Sequence, residues 1–106
     1  MIRWERVNEL RDEVGADDFK EVVDLFLEEV EEVIERLRDS PDPTRFEEDF
    51  HFLKGSALNL GFGALGDLCQ TGERQPGAVD LASVVATYEA SKAEFMASAA
   101  RMGFAA

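Results

Sequence analysis

The stretch His51-Phe52-Leu53-Lys54-Gly55-Ser56 carries the only histidine of the chain. An imidazole has few recurrent uses, and its neighbours narrow them. Metal binding asks for further ligands at suitable spacing. Cys69, the other soft donor, stands on a different predicted helix, and the carboxylates form no cluster with ligand spacing. Catalysis of the serine or cysteine kind asks for a nucleophile poised beside the histidine, and Ser56 projects to the opposite side of its helix. What is left is the imidazole as the nucleophile, a role its free lone pair suits at neutral pH. Its neighbours fit a phosphoryl group as the electrophile. Lys54, one turn on, would set an ammonium beside anionic oxygens. Gly55, at i+4, takes away the side chain that would crowd them. Glycine inside a helix costs about 1 kcal/mol relative to alanine, so its presence there points to a need for space.

Helices must position these residues. Phe19, Val22, Val23, Phe26, Val30, Val33, Ile34 and Leu37 recur at spacings of three and four, the period of an amphipathic helix. Asp18 with Glu21 predicts a capping box at its start, and Ser40-Pro41-Asp42-Pro43 stops it. The next helix takes Asp42 as N-cap and Pro43 as its first residue. Its stripe is Phe46, Phe50, Leu53, Ala57 and Leu60, and Gly61-Phe62-Gly63 ends it. A short helix over residues 64–74 carries Leu65, Leu68 and Cys69. The last starts near Asp80 and presents Leu81, Val84, Val85, Tyr88, Phe95, Ala99 and Met102. A first helix over residues 2–14 turns Val7, Leu10 and Val14 to one side, and Gly15 ends it. Nothing reads as a strand. The fold expected is all-α: an up-and-down antiparallel four-helix bundle with a short N-terminal covering helix, in a single domain spanning residues 1–106.

On a wheel advancing about 100° per residue, the stripe of the third helix stays within about 40° of Phe46. His51 falls at about 140°, Lys54 at about 80°, Gly55 at about 180° and Leu58 at about 120°. These four share a face turned away from the core, so the histidine is presented rather than packed. Leu58 adds apolar surface near it, where a partner would dock, and Phe62, at the helix end, either joins that docking patch or caps the core. If the third and fourth helices form a hairpin about Phe62, Glu73 comes level with His51, since each is eleven residues from the turn. Glu73 then either meets the imidazole or points to solvent.

The formal net charge of −12 argues against binding nucleic acid or an anionic membrane surface. Apolar residues at 45% and charged residues at 32% place the chain among globular proteins. A single cysteine, no segment of membrane-span length and no signal-peptide core lead to the expectation of a cytoplasmic protein.

His51-Phe52-Leu53-Lys54-Gly55-Ser56-Ala57-Leu58-Asn59-Leu60-Gly61 resembles the signature of histidine-containing phosphotransfer domains, approximately H-x-L-K-G-S-S-x-x-L/I-G. Ala57 departs where that family often has serine. The resemblance covers nearly the whole chain. It implies a two-component phosphorelay in which His51 carries a phosphoryl group between aspartates of response-regulator receiver domains, with a hybrid histidine kinase as a further partner. Lys54 is then the phosphate-side cation and Gly55 the clearance position. No cofactor belongs to the domain itself, since the Mg²⁺ is expected on the receiver. The family often sets a polar side chain, frequently glutamine, where Glu73 stands, to accept a hydrogen bond from Nδ1. The chain is expected to be a monomeric carrier and not an enzyme, because no glycine-rich nucleotide loop is present. The rival reading is a helical binding module that docks a signalling partner without taking phosphate.

Overall fold

Among the described residues, apolar period and glycine or proline stops translate into five α-helices: α1 (Trp4–Val14), α2 (Phe19–Asp39), α3 (Phe46–Leu60), α4 (Gly63–Arg74) and α5 (Leu81–Arg101). The structure, a computed structural model, describes residues 1–101. Met102, expected on the stripe of the last helix, lies outside the described residues. Helix α2 packs against α3 and α5, and α4 packs against the same two, so the four enclose one core. Residues Phe50, Leu53, Ala57 and Leu60 of α3 are all essentially inaccessible to solvent. They meet Val30, Ile34 and Leu37 of α2, Leu65 and Cys69 of α4, and Val84 and Phe95 of α5 in a single cluster.

The helix entries differ in detail from expectation. Residues before Trp4 are not helical. Ile2 forms an isolated antiparallel bridge with Phe62, and the Arg3 N–H donates to the Gly61 carbonyl at 2.7 Å. Backbone paired across the chain in this way cannot also close a helical turn, which is why α1 begins two residues later than its pattern suggests. The capping box at Asp18 is not formed. Asp18 has helical φ and ψ of −96° and −8°, and its side chain makes no capping hydrogen bond. A cap of that type needs an extended backbone, and the tight turn in which Asp18 N–H donates to Gly15 O removes it. Asp42 does cap, accepting from the Thr44 N–H at 3.0 Å and the Thr44 hydroxyl at 2.7 Å. It caps a single 3₁₀ turn over Pro43–Arg45, and regular α-helix starts at Phe46.

Gly61 makes the hairpin between α3 and α4. It ends α3 with φ of +82°, where a side chain is strained. A Cβ there would also lie 2.7 Å from the Arg3 carbonyl oxygen, so glycine is needed for conformation and for clearance. Helix α1 packs against α2 and α3, with Val7 and Leu10 buried. Trp4 stacks on Phe95 with ring centroids 5.7 Å apart and planes 11° from parallel. This seals the end of the bundle where the hairpin turns.

Candidate functional site

Helix α3 has two opposite jobs, and residues two apart show them. Asp49 is buried and forms an ion pair with Arg36 of α2, tying the two helices together. His51 lies about 200° further round and is out in solvent, its side chain 71% exposed. Burying a charge is tolerated only when it is paired, so the Arg36–Asp49 bridge fixes which face of α3 turns inward. The histidine is thereby turned outward.

Glu73 does meet the imidazole. His51 Nδ1 and Glu73 Oε1 are 2.8 Å apart. The other carboxylate oxygen, Oε2, lies 2.6 Å from the Lys54 ammonium, an ion pair off the preferred hydrogen-bond direction. Glu73 thus sits between the predicted nucleophile, His51, and the predicted phosphate-side cation, Lys54. The Lys54 ammonium first, and the His51 hydrogen bond second, hold its carboxyl below the usual range, so it is ionised at neutral pH. An ionised carboxylate can only accept. The proton of the neutral imidazole is therefore on Nδ1, and Nε2 keeps the lone pair.

Gly72 makes this meeting possible, and the sequence reading did not single it out. A Cβ at Gly72 would stand 3.0 Å from three atoms of the Phe50 ring, closer than side chains comfortably pack. With hydrogen alone, α4 closes onto α3 one residue before Glu73. The signal was there: Leu65, Cys69 and Gly72 are spaced along one face of α4, so this glycine occupies a core position in a helix it weakens.

The other predicted residues divide. Gly55 is exposed, and a Cβ there would touch nothing within 4 Å, so the space beside the histidine is open. Leu58 is 43% exposed and leans over Gly66 of α4, two turns along α3 from His51. Phe62 is a correction. It is 1% exposed and packs between Tyr88 and Phe95, with ring centroids 6.4 and 5.7 Å away. The bridge to Ile2 and the turn at Gly61 fold it inward, so it belongs to the core and offers nothing to a docking partner. Phe52, next to His51 in the chain, 36% exposed and lining a groove with Glu29, Val33 and Arg36, is one apolar surface residue that the sequence reading did not single out. Its place about 120° off the stripe was a visible cue.

Among the described residues, no three of His, Cys, Asp and Glu converge as a metal site requires. No described helix is long and apolar enough to cross a membrane. Neither a curated protein nor a solved structure matches the chain. A family profile described as Hpt domain matches residues 21–97, a span that includes the hairpin, His51, Lys54 and Glu73. Fold, presented histidine and profile agree: the chain belongs to the Hpt domain family, whose members perform histidine phosphotransfer in two-component signalling.

Proposed function

We propose that His51 is the phosphoryl carrier of a phosphorelay, loaded from the aspartyl phosphate of one receiver domain and unloaded onto the aspartate of another. The observation that carries this reading is the Nδ1 contact to Glu73 on an otherwise exposed ring. It leaves Nε2 as the free nucleophilic nitrogen of a solvent-exposed ring. The receiver supplies Mg²⁺ and most of the charge stabilisation, and this chain supplies the oriented imidazole. Gly55 leaves room for the incoming group, and Lys54, one turn along α3 and paired with Glu73, is the cation offered to it. Leu58, with Phe52 at the other edge of the face, offers apolar docking surface. In this reading α2 to α5 form an up-and-down antiparallel four-helix bundle. The domain acts as a cytoplasmic, monomeric carrier with no chemistry on ATP of its own.

The test is phosphotransfer profiling against the receiver domains of the same genome, with His51→Gln as control. Label that moves from a receiver to wild type, and not to His51→Gln, is the expected result. Absence of transfer from every receiver would favour a binding module that docks its partner without taking phosphate.

A further inference from the structure

The bundle has a second long seam, and it lies away from the histidine. Helix α2 packs on α3 and α5, and α4 packs on the same two. The α2–α5 seam is therefore across the bundle from the α3–α4 edge, where His51 meets Glu73. We propose that this seam is a docking groove for a basic amphipathic helix of a partner protein, filled while His51 stays accessible. Such docking does not depend on His51 taking phosphate.

Carboxylates line the α2 wall. Asp24, Glu28, Glu31, Glu32 and Glu35 border a groove of about 390 Å³, with Lys92 and Met96 of α5 opposite. Two of the five are already engaged: Glu31 accepts from Tyr88 and Lys92, and Asp24 holds the Lys20 ammonium at 2.8 Å. Glu28, Glu32 and Glu35 are exposed and form no ion pair among the described residues. They follow one another at four and three residues, one helical turn apart. Toward the start of α2 the seam turns apolar, where Val23, Phe95, Met96 and Ala99 line a hollow of about 120 Å³. Met96 borders both parts and is 37% exposed, and Leu25, 56% exposed, stands one turn before Glu28.

The chemistry of the seam selects its occupant. Unmatched carboxylates beside an apolar hollow are complementary to a helix with lysine or arginine at the same turn spacing and apolar residues alongside. From Asp24 to Glu35 the ridge runs about 16 Å, so about three turns of partner helix cover it. A second copy of this chain would bring a net charge of −12 against the same ridge. Nucleic acid and anionic lipid carry the wrong sign for it. A metal ion needs several ligands to converge, and among the described residues no three of His, Cys, Asp and Glu do.

The probe is a fluorescein-labelled helical peptide of about four turns, with lysines at i, i+4 and i+7 and leucines beside them. Its binding to the whole chain is followed by anisotropy at about 0.1 M salt, where charges more than about 10 Å away are screened. Wild type should bind it and ignore a twin with glutamate for lysine, while the His51 imidazole NMR signals stay in place. Glu28→Gln, Glu32→Gln and Glu35→Gln combined should weaken binding about tenfold, as for three exposed ion pairs. Glu5→Gln, Asp12→Asn and Asp67→Asn remove the same charge from α1 and α4, and should weaken it by less than about twofold. Met96→Glu should also weaken binding, although it makes the groove more acidic, because the apolar contact is lost. No binding by wild type overturns the inference. Equal losses in the two triple variants also overturn it, since the peptide would then be attracted to acidic surface in general. Tighter binding to Met96→Glu, or a peptide that shifts His51 and leaves the Met96 methyl signal unmoved, does the same. Self-association of wild type that Met96→Glu abolishes would give the seam to a second copy, and the basic partner would be the wrong occupant.

Discussion

His51→Gln should lose all phosphoryl label and change stability by no more than about 0.5 kcal/mol, as expected for a surface substitution. Urea titration beside a transfer assay checks both halves, and an unfolded variant would contradict the exposure of that side chain. Leu58→Asp should weaken docking to a competent receiver while the bundle stays folded, since 43% of the leucine is already in water. Unchanged affinity in a titration would remove Leu58 from the interface. At this scale the sequence was largely legible, because helical period alone separates a presented residue from a packed one. It failed at Phe62, which sits at a helix end where the wheel no longer applies. There the direction of the side chain is set by a chain reversal and a long-range bridge to Ile2. The pairing of Glu73 with His51 was open in the sequence for a related reason: counting along a hairpin gives height and not the distance between helices.

That distance is an element-scale quantity, and two glycines separate its causes. Gly72→Ala gains about 1 kcal/mol of helix propensity but must push against Phe50, which is fully enclosed. Overpacking of this kind costs about 1–3 kcal/mol, so a small net loss of stability is expected. The Nδ1 resonance of His51 should move as well, since α4 is displaced next to Glu73. Gly55→Ala is the matched control. Its Cβ enters open space, so it should stabilise by up to about 1 kcal/mol and leave that resonance in place. Thermal melts with one NMR spectrum per variant decide the matter. If both variants melt higher, the close approach of α3 and α4 is not limited by Gly72. The Arg36–Asp49 tie was equally hard to foresee. A carboxylate three residues after Phe46 reads as one more solvated charge until α2 is placed beside it.

Over the whole molecule, a net charge of −12 on 106 residues means that folding gathers like charges together. Raising the salt from about 0.01 to about 0.15 M shortens the screening length from about 30 to about 8 Å. The melting temperature should therefore rise, even though exposed pairs such as Lys20–Asp24 are weakened by the same screening. A fall in Tm across that range would show that specific pairs outweigh general repulsion. The same charge should make association fastest with receivers whose docking face is basic, and most salt-sensitive for them. Sequence composition alone carried this much. It could not show that the two ends of the molecule are spectroscopically separate. Trp4, the single tryptophan, is stacked on Phe95 at the sealed end, and the single histidine stands about 16 Å along α3 from the turn at that end. Indole emission and imidazole resonance are therefore independent windows in one unlabelled protein. Emission should stay constant while His51 is loaded and unloaded, and should change only when α1 lifts from the bundle.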